Sequence, residues 1–413
     1  MAYLDRQRAS KLMTQADLDG LIFFSTESFE YATGASSGVA TMWRKAGAVA
    51  VFVPADPNIP ETAVVSDLFA QSFKKASHIT DVRENPIWVE SSNLIDYDLN
   101  EPLELIIKSS WQNAERSKGF ARPTTFEPSI CFQHLSDAIN DCGLRQTNIG
   151  FEASAVSIRE FTSLKDNLSI VNLIDATDVI DRLKMVKSPA EIQNLRLAVE
   201  IAESGICAVR DAIMPETTRD ELSTVWSDTI YQHPKSDHLS GAWEYISVGP
   251  NPWNNGRTAK SGDLIKVDVG CLINGYTSDS ARTFVLGHSS NIQNQIFEAL
   301  LSGFNAGAKM LHPGVPLSEV HRLTQAAIRN SGFPDYTRGH FGHGLGAGLG
   351  SEEWPFISAN ATSVFEPGMV IAFECPWYIE GIGGLIIENQ VLITEAGHEM
   401  MNTLPLGLVS IEI

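Results

Sequence analysis

The chain has 413 residues, 43% of them hydrophobic, which is enough for two or three domains with sizeable cores. Its 50 acidic against 30 basic residues give a formal charge of −20, which repels phosphate backbones and anionic lipid and sets nucleic-acid and membrane binding aside. The five cysteines (Cys131, Cys142, Cys207, Cys271, Cys375) are odd in number and form no CxxC pair; they read as reduced, mostly buried thiols.

In chain order, Met1 to Arg6 shows no basic region followed by an apolar core, and no apolar run reaches the ~18 residues of a membrane span. A cytoplasmic protein is expected. Ala9, Leu12, Met13 and Ala16 recur at helical spacing, and the short apolar runs Leu21–Phe24 and Ala46–Val53 read as buried strands. Strands alternating with helices predict an α/β layer domain, closed by strands near Ile149–Glu152 and Ile170–Leu173. Residues 84–130 carry no usable pattern. A boundary is expected near residues 175–188, giving domains 1–178 and 179–413. After it, Ser188-Pro189-Ala190-Glu191 has the form of a helix start, with Ser188 as N-cap and Pro189 in the first turn. Ile192, Leu195, Val199, Ala202, Ile206, Val209 and Ile213 then mark a long amphipathic helix. A second helix is predicted over Arg219–Tyr231, followed by strand-like segments. The same order returns: helices over Ile292–Leu311 and Ser318–Asn330, then strands. The repeat hints at internal duplication.

Five residues in these strand-like segments carry chemistry: Asp268, Asp279, His343, Glu374 and Glu388. Asp268 lies in the apolar run Leu264–Gly270, and Asp279 follows 279 − 268 = 11 residues later. His343 stands in the glycine-rich His340-Phe341-Gly342-His343-Gly344-Leu345-Gly346, while Glu374 and Glu388 end apolar runs. If the segments are neighbouring strands, the five side chains converge on one face. Four carboxylates and one imidazole suit two adjacent divalent cations, with Mn²⁺ the best match and Fe²⁺, Zn²⁺ or Co²⁺ tolerated. Such a pair polarises a carbonyl and activates water, which points to hydrolysis of an amide-like bond in a small molecule or short peptide.

The order of these motifs resembles the pita-bread metallohydrolase family, which includes aminopeptidase P, prolidase, methionine aminopeptidase and creatinase. The resemblance extends to Asp17-Leu18-Asp19-Gly20-Leu21-Ile22 and Glu27–Gly34 near the start, and to Arg182–Glu191 at the interdomain junction. It implies an N-terminal creatinase-like α/β domain and a C-terminal domain with a curved, mostly antiparallel sheet backed by helices. By the same resemblance Asp268 would chelate one metal, His343 and Glu374 the other, Asp279 and Glu388 would bridge, and the chain would form a homodimer. Arg282, which matches a recurrent family arginine, would support a ligand carboxylate.

Three positions depart from the peptidase pattern. Gly256 and Glu352 stand where family peptidases have histidines, and Ile386 where prolidase and aminopeptidase P have an arginine. Losing an acid/base imidazole costs roughly 10²–10⁴-fold in rate, so replacements are expected. Glu374, His340 and Glu352 are the candidate catalytic groups, and Trp253, Asn254 and Glu353 the candidate substrate-binding ones. The acidic residue before Trp354-Pro355, together with Asn251-Pro252-Trp253, also resembles a non-peptidase branch, the dimethylsulfoniopropionate lyases. The expectation is therefore an Xaa-Pro dipeptidase-like or aminopeptidase P-like hydrolase, with a lyase or other small-metabolite C–N hydrolase of the same fold as the alternative.

Overall fold

The computed structural model describes residues 3–114, 116–253, 256–348 and 352–413. The chain divides into two compact units, Met1–Leu183 and Lys184–Ile413. The first extends through Leu183 because Ile180 and Leu183, on the helix Thr177–Lys184, belong to its core.

Six strands form the sheet of the first unit: β1 (Gly20–Phe23), β2 (Ala50–Pro54), β3 (Thr62–Ser66), β4 (Asp81–Asn85), β5 (Asn148–Phe151) and β6 (Asn172–Asp175). Their order is β4-β3-β2-β1-β5-β6, with parallel and antiparallel pairs mixed. Leu21 and Phe23 pack on one face with Ala9, Leu12 and Met13 of the helix Arg6–Gln15. Ile22 packs on the other with Cys131 and Leu135 of the helix Pro128–Asp141. A strand covered on both faces has no solvent side to mark with polar residues, so it reads as an unbroken apolar run. Within the unpatterned stretch the structure places a helix, Leu103–Asn113. It buries only Ile106 and Ser110 and has no side-chain N-cap, so no periodic stripe advertises it.

The second unit begins with the helices Pro189–Ala212 and Arg219–Tyr231. Ser188 accepts from the Glu191 amide while Glu191 answers to the Ser188 amide, the reciprocal cap that the sequence announced. Strands β7 (Leu239–Glu244), β8 (Ser247–Val248), β9 (Leu264–Ile273), β10 (Tyr276–Thr277) and β11 (Ser280–Leu286) follow. The helices Asn291–Ala308 and Leu317–Asn330 then precede β12 (His340–Gly344), β13 (Glu353–Ser358), β14 (Val370–Ile379), β15 (Gly383–Thr394), β16 (Gly397–Met400) and β17 (Val409–Ile411). The path of the curved sheet is β10-β9-β11-β15-β14-β12-β13, with β7 and β8 added on β9, β16 on β15 and β17 on β11. Among the described strands of this sheet, only the β11–β17 pairing is parallel.

The doubled order of helix pair and strands has a physical counterpart. Ile265, Val267, Val269 and Cys271 of β9 pack with Ile206 and Trp226 of the first helix pair. Ile371 and Phe373 of β14 and Leu385 and Ile387 of β15 pack with Phe304 and Val320 of the second. The intervening residues of these strands point the other way. That is the face on which the polar side chains collect. The architecture is thus the expected one, an α/β domain followed by a domain with a curved, mostly antiparallel sheet backed by helices.

Candidate metal centre

Cross-strand register assembles the site. Asp268 lies opposite Ala281, Ala281 opposite Glu388, and Glu388 opposite Glu374, a row across β9, β11, β15 and β14. Directly opposed residues of antiparallel strands project on the same side. Ala281 fills its place in the row with a methyl group. Asp279, two residues before it, shares its parity and enters from the start of β11. His343 pairs with Ala372, two residues before Glu374, and so joins the same face from β12. The close approach of β12 to β14 needs Gly342: at its φ of +148° an added Cβ would lie 2.2 Å from the Ala372 carbonyl oxygen.

Within this row the donors fall into two groups. Asp279, His343 and Glu388 place their ligand atoms within 4.8 Å of one another. His343 Nε2 lies 3.6 Å from Asp279 Oδ2. Its Nδ1 is 3.0 Å from the Gly344 carbonyl oxygen; with the proton there, Nδ1 donates and Nε2 is left as an acceptor or ligand. Burial, and then the neighbouring carboxylates, push the Asp279 and Glu388 carboxyls well above the usual range, and the two side chains are hydrogen-bonded to each other. Carboxylates crowded in a buried place need a cation or a proton. Two carboxylates and an imidazole are a donor set that a divalent metal fits.

Asp268 and Glu374 are engaged differently. Lys266 Nζ, on a side chain only 1% exposed, sits 3.1 Å from Asp268 Oδ2. Arg338 Nη2 sits 2.5 Å from Glu374 Oε1. Burial raises the Asp268 carboxyl pKa, and the Lys266 ammonium partly offsets that rise. Sequence reasoning missed both cations. The signal for Lys266 was a charge two residues before Asp268, hence on the same face of an otherwise apolar strand.

The remaining candidates separate clearly. His340 lies between two acids, its Nδ1 3.8 Å from Glu374 Oε1 and its Nε2 3.9 Å from Glu352 Oε2. Burial holds its pKa below the ordinary value. The Glu352 side chain is 55% exposed. The Trp253 ring is solvent-exposed and lies 5.1 Å from that of Tyr378. Asn254 falls outside the described residues. Ile386 is buried on the site face, two residues before Glu388.

Glu353 and Arg282 make contacts of their own. Glu353 does not turn toward the donors; its carboxylate is 3.1 Å from Lys187 Nζ and 3.5 Å from Lys184 Nζ. Burial alone would raise its pKa, but the two ammoniums outweigh burial and hold it low. Its carboxylate stands in an internal ion pair with these two lysines. Arg282 does not reach a ligand carboxylate. It donates to the backbone carbonyls of Glu388 (2.6 Å), Ala281 (2.7 Å) and Leu404 (2.8 Å), and to Asn389 Oδ1 (2.8 Å). Burial brings its pKa down to about 10. It fixes the backbone under Ala281 and Glu388.

Comparison with known proteins matches this architecture. Metallopeptidase family M24 matches residues 193–395, and the creatinase/prolidase N-terminal domain matches residues 6–186. An Xaa-Pro dipeptidase of Pyrococcus furiosus is 32% identical over 281 residues, 66% of this chain and 78% of that protein. An Xaa-Pro dipeptidase of Pyrococcus horikoshii is 30% identical over 244 residues, 58% of this chain and 68% of that protein. The structure of an Xaa-Pro dipeptidase from Bacillus anthracis superposes with a TM-score of 0.76 at 19% identity, covering 98% of this chain and 99% of the other, and shows the same fold. The lyase alternative is not favoured by these relatives. With its two domains, its donor row and these relatives taken together, the chain belongs to metallopeptidase family M24 and is a metal-dependent hydrolase.

Proposed function

We propose that the chain cleaves Xaa-Pro bonds in dipeptides or at the start of short peptides, with the buried Asp279–His343–Glu388 cluster as the observation that carries the reading. A bound divalent metal supplies Lewis-acid polarisation of the scissile carbonyl and a more acidic water. Manganese fits the oxygen-rich donors best. Asp279, His343 and Glu388 would hold the ion. Glu374, next in the row, would take a proton. His340 lies between Glu374 and the exposed Glu352 and can pass that proton outward; its lowered pKa keeps the imidazole neutral and able to accept it. His340 and Glu352 thus take up work that the missing family histidines would do. Trp253, beside Tyr378, offers an aromatic wall for the proline ring. The substrate class is supported by the two Pyrococcus relatives, each called an Xaa-Pro dipeptidase. A homodimer fits the resemblance to two-domain family members, and a cytoplasmic location fits the five free thiols.

The test is a panel of Xaa-Pro and matched Xaa-Ala dipeptides, assayed with the Mn²⁺-loaded protein and a His343→Ala variant. Xaa-Pro cleavage is expected, lowered roughly 10²–10⁴-fold in the variant. Cleavage of neither series by the loaded wild-type protein overturns the proposal.

A further inference from the structure

Two protein cations lie inside the donor row. The Lys266 ammonium touches Asp268 at 3.1 Å, and the Arg338 guanidinium touches Glu374 at 2.5 Å. Neither is a surface charge that has folded over the site. Lys266 is 1% exposed in its side chain, and the Arg338 side chain is 22% exposed. Lys266 is also held by a surround of rings, with Nζ 5.1 Å from the Tyr378 centroid, 5.3 Å from Trp253 and 5.8 Å from Tyr245. Three ring faces within ~6 Å stabilise an ammonium where water is scarce. The stem is equally constrained, since its Cδ lies 3.1 Å from where a Cβ on Gly384 would stand.

Charge matching then decides how many metal ions the row can take. Asp268, Asp279, Glu374 and Glu388 bring four negative charges, and Lys266 and Arg338 return two. The remainder, −4 + 2 = −2, is balanced by one divalent cation. Two such ions would leave an excess of positive charge in a buried place, where unmatched charge is costly. The positions agree with the count: the two carboxylates with protein partners are those left out of the compact Asp279–His343–Glu388 cluster.

We infer that Lys266 stands in for the metal ion that Asp268 would otherwise bind, so that this chain holds one divalent ion at Asp279, His343 and Glu388 instead of two. Arg338 balances Glu374 in the same way. The inference rests on the metal-dependent reading above and deepens it.

Metal-free protein is dialysed to equilibrium against increasing Mn²⁺, bound metal is measured per chain, and the saturated sample is examined by electron paramagnetic resonance. The wild type is expected to saturate at about one equivalent, with the spectrum of isolated Mn²⁺, where a two-metal site would give about two and a spin-coupled spectrum. Lys266→Met, which keeps the length and removes the charge, is expected to raise the capacity to about two equivalents, because Asp268 is then free to bind. Two equivalents in the wild type overturn the inference and leave the metal-dependent reading standing. No bound metal in the wild type overturns that reading and the inference with it. A folded Lys266→Met protein that still stops at one equivalent overturns the role of Lys266. Should that variant not fold, the wild-type number and spectrum decide alone.

Discussion

Glu353 and Glu374 are both buried acids with a basic partner, but they sit in different electrostatic settings. Glu353 faces two lysines and stays charged; Glu374 faces one arginine and a row of other carboxylates. Lys187 is 1% exposed in its side chain, so removal of Glu353 would strand an ammonium in the interior. Glu353→Ala is therefore expected to cost about 3–5 kcal/mol of stability, the range for breaking a buried pair from one side. Urea unfolding measures it; a loss below ~1 kcal/mol would mean the pair behaves as a surface bridge. This is also where the sequence was least legible. Glu353 and Lys187 are separated by 166 positions, and nothing local to either names the other. Four of the five donors were readable within their own segments, as an acid inside or ending an apolar run or a histidine among glycines, while Asp279, in a polar stretch, was readable only from its place after Asp268. Lys266 was present in the same run as Asp268, yet its meaning depends on Tyr378, which arrives from β14, and on Tyr245 and Trp253, which arrive from outside the strands.

At the scale of elements, periodicity and end signals carried most of the fold. The helix Pro189–Ala212 was legible from Ser188, Pro189, Glu191 and its apolar stripe. The helix Leu103–Asn113 was not, since it buries too little to be periodic. One feature of the long helix had no reading in sequence. Gly205 sits where a Cβ would come within 2.4 Å of the Trp226 ring on the helix Arg219–Tyr231. Trp226 is 2% exposed and has little room to retreat. Alanine would gain up to ~1 kcal/mol of helix propensity but overpack the contact by ~1–3 kcal/mol, a net loss on the order of 1 kcal/mol. Thermal unfolding of Gly205→Ala should show a lowered midpoint. A raised midpoint would mean that the helix pair can part without loss, and that the glycine is not there to admit the indole.

For the whole molecule, the division of labour between the units makes a further prediction. Asp268, Asp279, His343, Glu374 and Glu388 all lie in Lys184–Ile413, and Met1–Leu183 supplies none of them. Metal binding to the folded state stabilises it by linkage, by about 2.7 kcal/mol when free metal is ~100 times the dissociation constant. Without the ion, like charges in the row repel at low dielectric, and the strands that carry them open more easily. Chelation should therefore speed amide hydrogen exchange in β9, β11, β12, β14 and β15 by up to about a hundredfold, the rate equivalent of that stabilisation. The strands β1–β6 of the first unit should keep their rates, because no donor is anchored there. Mass spectrometry of exchanged protein, with and without a chelator, reads both sheets in one experiment. Faster exchange in β1–β6 alone would place the metal elsewhere. No change in either sheet would mean that the donor row is stable without metal, with Lys266 and Arg338 then supplying all the positive charge it needs.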